Sequence, residues 1–285
     1  MKSTQNRQFL QLELKATELR KRVLEMIVTA RGTHIASAFS IVDLVLFLYK
    51  NILQINPKNP DSEKRDKFVL SKGHGCAALY VVLADCGFFP KKLLDTFTTP
   101  GSILGGHPDS SRIPGVETST GSLGHGFSVA VGFAIANKMN KSKFKVYCLV
   151  GDEELNEGSN WEAAQIAAHH KLDNLLLIVD ENKLMISGPM KDILDSFSLK
   201  EKFRAFGWNT IEVNGHNFSE LSEKFKLIQM KGKPTVIIAD TVKGKGVSFM
   251  ENKKEWYSVL PDAEQMKIAI NELENNIKKL RGQLQ

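Results

Sequence analysis

Residues 145–158 read Lys145-Val146-Tyr147-Cys148-Leu149-Val150-Gly151-Asp152-Glu153-Glu154-Leu155-Asn156-Glu157-Gly158. The unbroken apolar run predicts a strand over Lys145–Val150 that is buried on both faces. Gly151 and the acids after it predict a turn, with a helix from about Ser159 to His169. The pattern then repeats: an apolar run over Asn174–Val179 ends in Asp180-Glu181-Asn182-Lys183-Leu184. Asp152 and Asn182 are 30 residues apart, each just past a strand end. A strand–helix–strand unit of this length returns the chain to the same edge of a sheet, so both side-chain oxygens can converge on one hard cation. Mg2+ wants oxygen ligands and keeps positions for phosphate and water. One carboxylate and one amide, with a main-chain carbonyl nearby, leave room for a diphosphate.

Working outward, three more apolar runs predict strands over Lys67–Leu70, Thr210–Val213 and Thr235–Asp240. Helical spacing predicts helices over about Gln8–Ala30, Ile41–Leu53, His74–Cys86, Gly124–Met139 and Phe218–Met230. Alternation of this kind argues for an α/β fold: a doubly wound, mainly parallel sheet with helices on both faces. Ligands in such sheets bind beyond the carboxyl ends of the strands. The tail from Pro261 to Gln285 differs: Met266, Ile270, Leu273, Ile277, Leu280 and Leu284 recur at spacings of four and three, a short helical seam. Residues 1–260 are read as one domain and 261–285 as a C-terminal amphipathic helix. That helix docks either on its own domain or on another chain.

Composition narrows the classes. The 285 residues suffice for one large α/β domain with a sizeable core. Lys and Arg number 38 and Asp and Glu 32, and the net charge of +6 is spread along the chain. No basic stripe is interleaved with aromatics, so nucleic-acid binding is not expected. No apolar run reaches the roughly 18 residues of a membrane helix, and the N-terminus lacks a secretory apolar block. Cys76, Cys86 and Cys148 are odd in number, lack CxxC spacing and sit in apolar contexts. They read as reduced thiols, which points to the cytoplasm.

Gly-Asp alone is an ordinary turn. Coupled with Glu157-Gly158, Trp161-Glu162-Ala163 and Asn182, it resembles the thiamine-diphosphate signature, and within that superfamily transketolase most of all. The resemblance runs from about Leu12 to Trp256. It includes Thr33-His34, Leu70-Ser71-Lys72-Gly73-His74-Gly75, Gly105-Gly106-His107-Pro108, the stretch Gly115 to Gly126, and Asp240 to Phe249. It implies the thiamine-diphosphate-binding fold, of the domain type that holds the diphosphate. A transketolase polypeptide is normally more than twice this long, so the chain resembles the N-terminal subunit of a split transketolase.

The resemblance assigns roles. Asp152, Asn182 and the carbonyl of Leu184 would ligate Mg2+. Gly151 and the backbone of Glu153 would approach the diphosphate, with His74 nearest to it. Gly121, Ser122 and Leu123 would use main-chain groups beside the cofactor rings. His34 and His107 would face sugar hydroxyls, since histidine supplies a pKa near neutrality. Glu157 and Glu162 would join a carboxylate network across a dimer interface, or else form a solvated helix start. His125 has no firm role, and His169, His170 and His216 read as structural or surface.

Implied, too, is transfer of a two-carbon ketol unit from a ketose phosphate to an aldose phosphate. A C-terminal partner subunit, the pyrimidine-binding half, would complete the site in a dimer of heterodimers. A deoxyxylulose-phosphate-synthase-like enzyme, a 2-oxo-acid dehydrogenase component and a pseudoenzyme partner are the alternatives. Two positions depart from the pattern. Relatives have Gly-Asp-Gly where this chain has Glu153, which is expected to bring a carboxylate toward two phosphates and to resist a glycine-type backbone. Related split subunits have Trp-His-Gly where this chain has Trp256-Tyr257-Ser258, and tyrosine is a poor base near neutrality.

Overall fold

Alternating side chains on parallel strands force a layer of helices onto each face of the sheet. The computed structural model describes residues 2–228 and 231–285. The chain begins with α1 (Lys2–Thr29), α2 (Ile35–Phe39) and α3 (Val42–Phe47), followed by β1 (Lys67–Leu70) and α4 (Cys76–Cys86). It continues through α5 (His125–Met139), β2 (Val146–Gly151), α6 (Gly158–His169) and β3 (Leu175–Glu181). Then come α7 (Met190–Ile193), α8 (Leu199–Ala205), β4 (Asn209–Asn214), α9 (Phe218–Lys226), β5 (Thr235–Asp240) and α10 (Ala263–Leu284).

The five strands are all parallel in the order β1-β2-β3-β5-β4. Leu149, Ile178 and Ile237 point to the layer containing α1–α4 and α9. Cys148, Leu177 and Val236 point to the layer containing α5, α6 and α8. The doubly wound arrangement expected from the sequence is therefore present. Each such fully buried Leu or Ile contributes about 1.5–3 kcal/mol from apolar burial.

Several boundaries differ from expectation. The first helix starts at Lys2 rather than near Gln8. The helix expected over 41–53 is broken: α2 precedes it, and a π turn over Leu48–Ile52 ends it. Ser40 explains the first break, because its hydroxyl turns to the Ser37 carbonyl and the Asp180 carboxylate instead of facing solvent. The helix expected to reach Met230 stops at Lys226; Gln229 and Met230 lie outside the described residues. Neither α7 nor α8 was anticipated. The 18-residue stretch Ile35–Ile52 is long and apolar enough to cross a membrane, contrary to expectation, and 83% of it is buried within this fold.

The C-terminal helix opens with a capping box between Asp262 and Gln265. Its Leu273, Ile277 and Leu280 are buried, and it lies along α1. Lys21–Glu274 and Arg281–Glu18 ion pairs flank the seam. Within this chain the helix docks at home.

Candidate active site

Four strands end at one rim of the sheet. Beyond them lie Ser71 and Lys72 after β1, Asp152 after β2, Asn182 after β3 and Thr241 after β5. A narrow cleft opens there, lined by residues that include Ser37, His74, Leu123, Gly151, Asp152, Glu153, Asn182, Leu184 and Lys243. Registration of Gly151 with Asp180 sets Asp152 and Asn182 side by side. The Asp152 carboxylate accepts the main-chain N–H groups of Glu153 and Lys183. The Asn182 amide donates to Asp180 at 3.1 Å, while its oxygen accepts from Leu184 N at 3.2 Å.

The charges are unevenly balanced. Burial would raise the Asp180 carboxyl, but the Lys72 ammonium 2.6 Å away and the hydroxyls of Thr241 and Ser40 outweigh it and hold the carboxyl below its ordinary range. Asp152 makes no ion pair among the described residues. Burial, and next the Asp180 charge, push its carboxyl up to about 7. Lys243 is 2% exposed and donates to the Leu184 carbonyl at 2.8 Å, with no carboxylate partner among the described residues. Burial and then Lys72 lower its pKa. The buried Ser37 hydroxyl has no hydrogen-bond partner among the described residues.

These features suit the implied groups. A carboxylate, an amide oxygen and a main-chain carbonyl form an all-oxygen set for a hard divalent cation. Among the described residues no three His, Cys, Asp or Glu side chains cluster as an alternative metal site. A buried ammonium without counter-ion and an orphaned hydroxyl match an anion such as a diphosphate.

Beside the cleft, a second cavity of about 140 Å³ is lined by residues that include Thr33, His34, His74, Phe97 and His107. His34 lies 5.4 Å from His74 and 6.2 Å from His107 between ring centroids. Tyr257 joins them, edge-on to His34 at 4.5 Å and 5.8 Å from His74. The Tyr257 carbonyl accepts from His34 N at 2.8 Å, holding His34 in a left-handed conformation with φ of 72°. Such strain in a non-glycine residue is concentrated at functional sites. Burial first, then the positive charges of His107, Lys72 and Lys243, lower His34 to about 4. His74 is driven well below its ordinary value, mainly by burial. The imidazoles of His34 and His74 are therefore neutral near pH 7 and able to accept hydrogen bonds, but burial makes them weaker bases than the near-neutral pKa expected from the sequence. Gly121 is needed because a Cβ there would come within 2.8 Å of the His107 ring.

The other expected residues fall into three groups. Leu123 lines the cleft, whereas Ser122 is exposed and does not. Glu157 and Glu162 stand at the start of α6 and form no ion pair among the described residues. Glu153 sits in a tight 3-10 turn outside the left-handed region, so the expected backbone penalty is absent. Its carboxylate accepts from Ile186 N at 3.3 Å. That charge, after burial, raises the Tyr257 phenol.

Sequence reasoning missed Ser37, Glu154, Asp180, Lys243 and the role of Lys72. Glu154 is 1% exposed and accepts from Ser71 Oγ, Gly124 N and Gly151 N, tying three cleft loops together. A charged residue directly at a buried strand end was the available signal for Lys72, Asp180 and Glu154. The Gly244 and Gly246 that flank Lys245 were the signal for Lys243.

The model for the transketolase, thiamine diphosphate binding domain family matches residues 13–274. The chain is 43% identical over 270 residues to one of the subunits of the apulose-4-phosphate transketolase of Phocaeicola vulgatus, covering 94% of this chain and 96% of that one. It is 41% identical over 268 residues to a 6-deoxy-6-sulfo-D-fructose transketolase subunit of Clostridium sp. (strain MSTE9), covering 94% and 98%. It superposes on the transketolase from Leishmania mexicana with a TM-score of 0.83 and 27% identity, covering 96% of this chain but only 45% of that one. It thus spans about half the length of that solved transketolase and nearly all of the named subunits. The chain belongs to the transketolase family, within its thiamine diphosphate binding domain.

Proposed function

We propose that this chain is the N-terminal subunit of a heteromeric transketolase, working with thiamine diphosphate and Mg2+ in the cytoplasm. One observation carries the reading: Asp152, Asn182 and the Leu184 carbonyl meet at one rim with the counter-ion-free ammonium of Lys243. In this reading the three oxygens hold Mg2+. Gly151 and the backbone of Glu153 lie close to the diphosphate, and Ser37, His74 and Lys243 receive it. Main-chain groups of Gly121, Ser122 and Leu123 border the rings. The bound cofactor supplies the carbon–carbon bond chemistry that moves a two-carbon ketol unit.

The protein's own contribution is placement and proton handling. His34, with His107 beside it, accepts hydrogen bonds from sugar hydroxyls and orients them near the reacting carbonyl. Tyr257 closes the histidine cluster as a neutral donor, because burial and Glu153 hold its phenol protonated. The partner subunit supplies the pyrimidine-binding half. The relatives named as subunits, covered over 96% and 98% of their length, support that division. Glu157 and Glu162, at the start of α6 and free of ion pairs among the described residues, suit a carboxylate network shared across a dimer of heterodimers. The relatives are named for a sugar phosphate and a sulfo-sugar, so an anionic sugar is the proposed substrate class. Three free thiols fit a reducing compartment.

Calorimetric titration of thiamine diphosphate with Mg2+ into the chain co-purified with its partner tests this. Binding that Asp152→Ala abolishes is the expected result. Absence of binding in the intact complex would overturn the proposal in favour of a pseudoenzyme.

A further inference from the structure

His216 is the one histidine outside the cleft with both ring nitrogens engaged among the described residues. Its Nδ1 lies 2.5 Å from Asp43 Oδ2, and its Nε2 accepts the main-chain N–H of Val242 at 2.9 Å. Asp43, on α3, is 3% exposed and is also bound by the Arg20 guanidinium of α1. A carboxylate on one side and an N–H donor on the other leave one tautomer, with the proton on Nδ1 and a bare lone pair on Nε2.

Val242 immediately precedes Lys243. Every residue from 241 to 244 is tethered: Thr241 Oγ1 to Asp180, Val242 N to His216, Lys243 Nζ to Leu184 O and Gly244 N to Ala36 O. His216 holds the main chain one residue from the ammonium. The backbone before it is packed as tightly, since a Cβ on Gly215 would meet Thr241 Cγ2 at 2.6 Å. We propose that His216, oriented by Asp43, is a positioning residue that aims Lys243 at the anionic end of the cofactor cleft. The proposal rests on the reading of the cleft as a thiamine diphosphate site.

The two ring nitrogens can be tested separately. His216→Asn keeps a donor for Asp43 but removes the acceptor for Val242, whereas His216→Gln places an acceptor at the reach of Nε2. Titration of thiamine diphosphate with Mg2+ into the complex with the partner subunit should show binding weakened about tenfold in His216→Asn, the loss expected for one hydrogen bond. It should be restored to within about threefold in His216→Gln. Melting temperatures confirm that both variants are folded. A cycle with Lys243→Met is decisive, because residues acting through one another are not additive. Adding His216→Asn to Lys243→Met should weaken binding no further. Equal losses in both backgrounds, or unchanged affinity in His216→Asn, would overturn the positioning role. An unmodified complex that binds no cofactor would instead overturn the reading of the cleft, and the inference with it.

Discussion

Two loops face each other across the cleft, and they are held in different ways. The loop after β2, residues 151–157, is largely self-supporting. Glu153 N donates to Asp152 Oδ1, Leu155 N to Asp152 O and Glu157 N to Glu154 O, all within three residues. Its longer reaches run from buried Glu154 to Ser71 and Gly124, and from Asp152 and Glu153 to the N–H groups of Lys183 and Ile186 just past β3. The loop after β5, residues 241–244, has two local main-chain bonds, Lys245 N to Val242 O and Val247 N to Gly244 O, but its other bonds all reach away. It hangs from Asp180 and Leu184 at the end of β3, from His216 and from Ala36, which lie in three other segments. A self-supporting loop carries its geometry in its own sequence. A suspended loop borrows its geometry from residues that only the fold brings near.

Asp180 is where the suspended loop is most vulnerable. Asp180→Ala strands the buried Lys72 ammonium and frees the Thr241 hydroxyl, and should destabilise the chain by about 3–5 kcal/mol in urea unfolding. A loss below about 1 kcal/mol would mean that the β5 loop has supports besides those named here.

Glu154→Gln probes the self-supporting loop. An amide NH2 would then oppose one of the N–H groups of Gly151 and Gly124, costing about 1–3 kcal/mol. If this variant proves the more damaging of the two, the contrast between the loops is reversed.

The histidine cluster provides a pH test. His34 is at about 4 in the fold against its ordinary 6.5, so the unfolded chain takes up the proton first. Its contribution to stability is complete above about 6.5 and is lost as pH falls toward about 4. Denaturation across that range should show a shallower pH slope for His34→Asn than for the unmodified chain. Coincident slopes would place the imidazole in water. Smallest of all, Arg281→Ala removes an exposed pair with Glu18 far from both loops and should cost about 0–1 kcal/mol, with no change in cofactor binding.

The contrast also explains what the sequence disclosed. Asp152, Asn182 and Gly151 stood out because each follows an apolar run, and strand ends are recognisable from pattern alone. The seam of α10 was visible for the same reason, in its spacing. Lys243 and His216 were not, since nothing within three residues of either states that Leu184 or Asp43 is its partner. The break between α2 and α3 was hidden likewise, because it depends on Ser40 meeting Asp180, 140 residues away. Buried charge is legible only through its partner, and partners here are seldom neighbours.

Asp180 gathers Ser40, Lys72, Thr241 and Asn182 from segments spread over some two-thirds of the chain. Long loops must close before the bonds to Ser40, Lys72 and Thr241 can form, and closure over such separations slows folding. A chain with only β1, β2 and β3 in place still lacks the Thr241 tether and the Lys243 ammonium. The anion-receiving rim is therefore complete only once β5 is in place beside β3, and a chain without that strand offers no partial version of it.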